Sequence, residues 1–369
     1  MALTTENCRL DELRAIVGQP TTLSEYPHAA EVLDGVLRYS LDGFRAAPLG
    51  ELTRAFGDGP GIVMISGAFE GGIVDAASAR FRELIDEQGP TRGDHFARPG
   101  ANDRIWNGTE KLAVRAPETF VEYYATDVIA KVATAWLGPG YQVTSQVNVV
   151  NPGGKAQVGH RDYHLGFLSP DVIERYPDHV HRLSPVLTLQ GAIAHSDMPV
   201  ETGPTCYLPH SQKYPPGYLA TARAEFREYF DAEHVQLPLA KGDAVFFNPA
   251  VIHGAGTNRT ADVQRMANLL QISSAFGRAM ESIDRERMCN ALYPALTEWH
   301  RHDPGGAANA VAASAEGYPF PTNLDLDPPL DGLAPPSQAD LVRRALAEKW
   351  PADQLRDELA AHAGRRISS

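Results

Sequence analysis

Cysteine is scarce in this chain. Cys8, Cys206 and Cys289 are the whole complement. They are far apart and odd in number, which argues against a disulfide framework or a structural zinc site and fits three reduced thiols in a cytoplasmic protein. Long apolar runs are also lacking. No stretch approaches the length of a membrane span, and the opening Met1–Asn7 has no basic segment leading into an apolar one. Neither a signal peptide nor a transmembrane helix is expected. Positive charge is in deficit, with 33 Lys plus Arg against 46 Asp plus Glu and a formal net charge of −13. That balance argues against a nucleic-acid or anionic-membrane binder. It leaves room for an anionic small molecule, because one local arginine can override the net field. There is no internal repeat and no His-Glu-x-x-His helix of the kind zinc hydrolases use. What is present is ordinary for a globular protein with a sizeable core: 369 residues, 43% hydrophobic and 21% charged. The length suits one large domain with insertions, or two smaller ones.

Along the chain, residues 1–60 read as helical and peripheral. Leu10, Leu13, Ile16 and Val17 recur at helical spacing, and Val32, Val36 and Leu37 do so again. Residues 61–69 read as a short buried strand, followed by an amphipathic helix over 72–88 with Ile73, Val74, Ala77, Phe81 and Ile85 on one face. Residues 89–108 read as loop, and 117–137 as a second helix stopped by Gly138-Pro139-Gly140. From Tyr141 to about Ser274 the pattern changes to strands and turns, which suits a β-sandwich or double-sheet barrel. Helical patterning returns over 279–299. A Gly- and Pro-rich loop spans 303–337, and a helix pair covers 338–363.

Within the strand-rich part, Val143–Val150 leads through Pro152-Gly153-Gly154 to Gly159-His160-Arg161-Asp162-Tyr163-His164. On an extended backbone, residues two apart share a face. His160 and Asp162 therefore aim at one point, supplying two-thirds of the two-His-one-carboxylate set that holds non-haem Fe(II). His195-Ser196-Asp197 has the same form, but Asp197 borders a turn that accounts for it. Asp178-His179-Val180-His181 reads as a solvated loop. A second signal runs from Lys241 through Phe246-Phe247-Asn248 to His253-Gly254-Ala255-Gly256, where small residues beside a histidine leave room for a co-substrate. Arg265 opens the next apolar run and is placed to clamp a carboxylate bidentately; Arg259 is its rival.

These residues resemble the phytanoyl-CoA dioxygenase family of Fe(II)- and 2-oxoglutarate-dependent oxygenases. The likeness rests on His160-Arg161-Asp162, on His253 through Thr260, on Arg265, and on Glu201-Thr202-Gly203-Pro204 with Pro209-His210-Ser211, about forty residues after the first pair. It spans about 61–275, with departures at Thr202, His210 and Gly159. The resemblance implies an α+β fold with a mainly β core, a double-stranded β-helix of jelly-roll or cupin type flanked by helices. It implies a single oxygenase domain over 1–369: a helical N-terminal extension to 60, a core over 61–275 and a helical C-terminal extension over 276–369. His160, Asp162 and His253 match the iron ligands. Arg265 matches the arginine that binds the distal carboxylate of 2-oxoglutarate, and Asn148 and Gln146 match positions lining the co-substrate pocket. The implied cofactors are Fe(II), 2-oxoglutarate and O2. The implied partner is a small-molecule substrate, with no nucleic acid and no membrane, and hydroxylation is the default reaction. Desaturation, cyclisation or epimerisation on the same iron, or a non-catalytic binding barrel, are the alternatives. Arg104 and Trp106 are candidates for recognising an anionic and an apolar part of a ligand, and residues 89–108, 163–182 and 275–337 for forming the walls of the pocket.

Overall fold

The computed structural model describes residues 2–89, 100–330 and 332–367. Its strands, in chain order, are β1 (Glu31–Leu33), β2 (Val36–Ser40), β3 (Ile62–Ser66), β4 (Asn102–Ile105), β5 (Gln142–Val150), β6 (Thr188–Ala194), β7 (Cys206–Leu208), β8 (Val235–Gln236), β9 (Ala244–Phe247), β10 (Ile252–Gly254) and β11 (Arg265–Ser273). Eight form one sheet in the order β1-β2-β3-β9-β6-β11-β5-β4, and three form a second, β10-β7-β8. Helices pack on the outer face of the large sheet, and the small sheet covers part of its inner face.

Strand alternation sorts the side chains between these layers. Val63 and Ile65 of β3, Val147 and Val149 of β5, Leu189 and Ile193 of β6 and Phe246 of β9 join the helices in one apolar cluster. Ile62 and Met64, Val245 and Phe247 turn the other way and pack with Tyr207, Leu237 and Leu239 between the sheets. Phe246 is fully buried, and truncating such a ring to alanine removes about 3–5 kcal/mol. The helix Gly71–Gln88 buries Val74, Ala77, Ser78 and Phe81, a one-sided stripe, and stops at Gly89 with φ +83°.

Four expectations are corrected. Val32, Val36 and Leu37 are not helical but lie in the β1–β2 hairpin, with Val32 opposite Leu37 and Leu33 opposite Val36. Asp34 and Gly35 have φ of +48° and +83°, and an Asp-Gly pair of this kind favours a two-residue hairpin turn over a helix. Residues 1–60 are therefore neither wholly helical nor peripheral: β2 pairs with β3, and Tyr39, Phe44 and Phe56 are fully buried. The helix expected over 117–137 is two, Pro117–Tyr124 and Asp127–Leu137, because the Thr126 side chain accepts from Val128 N (3.2 Å) and starts a new N-terminus. The loop expected over 303–337 contains a helix, Pro304–Ser314, capped by Asp303, which accepts from Gly306 N at 2.8 Å. Of the loop expected over 89–108, residues 90–99 lie outside the described residues, and 102–105 form β4, antiparallel to β5.

Candidate active site

The fold brings His160, Asp162 and His253 together although more than ninety residues separate the first from the last. His253 lies on β10. His160 pairs with it across an antiparallel bridge, each backbone N–H donating to the other's carbonyl (2.9 and 3.0 Å). Asp162 follows on the same side of the chain, its N–H donating to Pro249 O at 3.2 Å. The ligating atoms of the three side chains lie within 4.8 Å of one another. Asp162 Oδ1 is 3.5 Å from His160 Nε2, and Oδ2 is 3.4 Å from His253 Nε2.

Each imidazole is held in one tautomer. His160 Nδ1 is 2.7 Å from Val158 O, and His253 Nδ1 is 2.9 Å from Val251 O. A carbonyl only accepts, so each Nδ1 carries the proton and each Nε2 keeps a lone pair facing Asp162. Burial, and then the neighbouring His253, lower the His160 pKa and favour the neutral ring a metal needs. Burial alone would raise Asp162. A hydrogen bond from His253 and the charges of His160 and His253, present when these rings are protonated, together with a bond from Gln190, outweigh it and hold the carboxyl well below the usual range.

Arg161, between the two, points the opposite way. Its guanidinium is buried, donates to Ser211 O and Tyr214 O (2.5 and 2.8 Å) and lies 5.2 Å from the centre of the Tyr218 ring. A Cβ on Gly217 would fall 1.9 Å from Arg161 Cζ. Gly217→Ala is therefore expected to displace Arg161 and lower stability by about 3 kcal/mol, as buried steric changes do, with metal affinity falling too; denaturant unfolding and a metal titration check it. After Asp162 the chain turns sharply through Tyr163 (φ +65°) and His164 (φ +45°), a conformation L side chains rarely adopt.

A cavity of about 1140 Å³ opens over the triad. The inner faces of β5 and β11 supply Gln146, Asn148 and Arg265 to its wall. Arg265 is buried and donates to Gly203 O. Burial lowers its pKa to about 10, and among the described residues it has no carboxylate partner. Arg259, its rival, is exposed. Gln146 accepts from Arg104 Nη1 at 2.7 Å, and Asn148 Oδ1 is buried with no donor among the described residues. Arg104 lines the wall with Trp106 against its guanidinium (5.6 Å), while Phe167 and Met280 bring in the segments 163–182 and 275–337.

The second His-x-Asp is structural. His195 is buried between Ser78 Oγ and Tyr123 OH (both 2.8 Å), and Asp197 accepts from Lys241 N at 2.9 Å. Residues 178–183 form a short helix instead of a loop, with His181 buried. At the three departures, His210 adopts φ +68°, a conformation that glycine takes most easily. Thr202 is buried and bonds Pro199 O at 2.8 Å. The Phe230 ring occupies the space where a Cβ on Gly159 would sit, 2.6 Å away. Sequence reasoning missed Gln190, whose Nε2 donates to Asp162 Oδ2 at 2.5 Å. Its signal was a lone amide inside the buried run Thr188–Ala194.

A family model described as Phytanoyl-CoA dioxygenase (PhyH) matches residues 58–267. The "Multifunctional dioxygenase ausE" of Emericella nidulans is 27% identical over 232 residues, covering 60% of this chain and 72% of that protein. Among solved structures, the non-heme alpha ketoglutarate dependent epimerase SnoN is 20% identical, with 62% of this chain and 83% of that one covered at a TM-score of 0.45. The corresponding values for the carbocyclase SnoK, also from nogalamycin biosynthesis, are 21%, 63%, 86% and 0.46.

Proposed function

The chain belongs to the phytanoyl-CoA dioxygenase family of Fe(II)- and 2-oxoglutarate-dependent oxygenases, and from that premise we propose that it hydroxylates a small-molecule substrate at an iron held by His160, Asp162 and His253. The observation that carries the ligand assignment is the convergence of these three ligand atoms, with both imidazoles presenting Nε2. The donor set fits the group: two neutral imidazoles and one ionised carboxylate are the facial set that leaves iron open positions. When bound, Fe(II) with 2-oxoglutarate supplies the O2-dependent oxidation, releasing succinate and CO2.

The chain's own residues bind and orient. Val158 O and Val251 O fix the imidazole tautomers. Arg265, buried without a carboxylate partner among the described residues, binds the distal carboxylate of 2-oxoglutarate as a charge-assisted pair. Asn148 and Gln146, on the same wall, contact the co-substrate. The apolar wall from Phe247, Tyr207 and Leu239 excludes water from the reacting atoms. Desaturation, cyclisation or epimerisation would use the same ligands. A single domain over 1–369 is part of the proposal, supported by one apolar cluster that runs from Tyr26 to Leu359. So is a cytoplasmic location, supported by three buried free thiols. No helix among the described residues is long and apolar enough to cross a membrane.

Anaerobic addition of Fe(II) and 2-oxoglutarate is expected to give a weak visible charge-transfer band in the wild-type protein, and His160→Ala is expected to lose it. A wild-type protein without the band overturns the reading.

A further inference from the structure

Gln190 is a costly residue to keep where it stands. It lies in the middle of β6, more than nine-tenths buried, between Phe247 of β9 and Gln271 of β11 in the sheet register. Its Nε2 donates to Asp162 Oδ2 at 2.5 Å. Its Oε1 is buried and has no donor among the described residues. The amide cannot be turned over to relieve this, because its carbonyl would then face a carboxylate that only accepts. A methionine or leucine would fill the same space without an unsatisfied oxygen, so the donor to Asp162 is what the amide contributes here and calls for an explanation.

We propose that Gln190 is a positioning residue that decides which oxygen of Asp162 serves the metal. By occupying Oδ2, it leaves Oδ1 to ligate alone and keeps the carboxylate from closing on the ion through both oxygens. This preserves the open positions that co-substrate and O2 require. A neutral donor does so without removing the negative charge the ion needs. The inference rests on the iron-site reading above and adds a residue to it.

Gln190→Met, close in shape and without a donor, is the test, with Gln271→Met as control, since Gln271 faces Gln190 across the ladder. The measurements are Mn(II) affinity, water-proton relaxivity of the Mn(II)-loaded protein as a count of open positions, and the melting midpoint without metal. Gln190→Met is expected to bind Mn(II) about 10–100-fold more weakly, the usual effect of losing a partner of a metal ligand. Its relaxivity per bound ion is expected to fall by about a third, as one of three open positions closes. Its metal-free midpoint is expected to stay within a few degrees of wild type, because the lost bond is offset by removal of the orphaned oxygen. Gln271→Met is expected to match wild type in affinity. Affinity unchanged in Gln190→Met overturns the proposal. So does an affinity loss accompanied by a large drop in midpoint, which would mark Gln190 as packing only. Weaker binding at full relaxivity overturns the selection of one oxygen and leaves a role in affinity. A wild-type protein that binds no Mn(II) counts instead against the metal site itself.

Discussion

Arg265→Leu is expected to weaken 2-oxoglutarate binding about 100-fold or more while leaving the protein without co-substrate at least as heat-stable as wild type. Both halves follow from one observation. A guanidinium on β11 is buried, donates to Gly203 O and has no acidic partner among the described residues. Burial without a counter-charge is unfavourable, as the lowering of its pKa to about 10 reflects. Replacing such a charge by an apolar side chain is neutral or stabilising. Losing one partner of a desolvated charge pair weakens binding by about 2–5 kcal/mol. Arg265→Lys keeps the charge but not the planar fork, so its affinity is expected to fall in between. Titration of the Fe(II)–2-oxoglutarate band reads the first half and a thermal melt the second. A dissociation constant for Arg265→Leu within about threefold of wild type, a loss of only ~0.7 kcal/mol, rejects the assignment of Arg265 to the co-substrate.

Glu281→Gln is expected to stabilise the protein at pH 8 and to leave it unchanged at pH 4. Burial raises the Glu281 pKa from 4.5 to about 7; Asn107 N–H, Lys111 and Arg104 oppose the rise without cancelling it. Oε1 accepts from Asn107 N at 2.7 Å and Oε2 has no donor among the described residues, an environment that suits the protonated acid. Between the two pKa values the folded state holds a proton that the unfolded chain has released. Stability therefore falls as pH rises from about 4.5 to about 7 and is level above. Glutamine keeps the carbonyl toward Asn107 and carries no charge, so the slope disappears. The difference approaches about 3 kcal/mol at pH 8, at 1.36 kcal/mol per unit. Denaturant unfolding across this range checks it; parallel curves for the two proteins would show that Glu281 ionises normally when folded.

The site was more legible in the sequence than the outer fold, for a physical reason. His160 and Asp162 share a face because they are two residues apart on extended chain, and strand alternation alone directs Gln146 and Asn148 to one side of β5. Arg265 is recognisable as a charge opening an apolar strand. Gln190 was not legible as a partner of Asp162, since that pairing exists only once β6 lies beside β11 in the sheet. The Asp34-Gly35 turn was in plain sight, but Val32, Val36 and Leu37 also satisfy a helical period over so short a span. The helix Pro304–Ser314 hides behind Gly305 and Gly306 and many alanines, which give its faces little contrast; only the Asp303-Pro304 start marks it.

The reciprocal backbone pairing of His160 and His253 has a consequence for which ion the protein carries. The backbone separation of the two residues is set by a β-bridge already formed, and each ring is held by its Nδ1 bond to a carbonyl, so the frame has little freedom to close around an ion. Three ligands enclose only one side of an ion, and divalent cations of the first transition row differ little in radius, so even a fixed frame of this kind discriminates little among them by size. Their competition then follows intrinsic affinity, in which iron ranks below cobalt, nickel, copper and zinc. Iron occupancy is thus governed by supply during and after folding, and traces of zinc should act as a tight, slowly reversed poison of the purified enzyme.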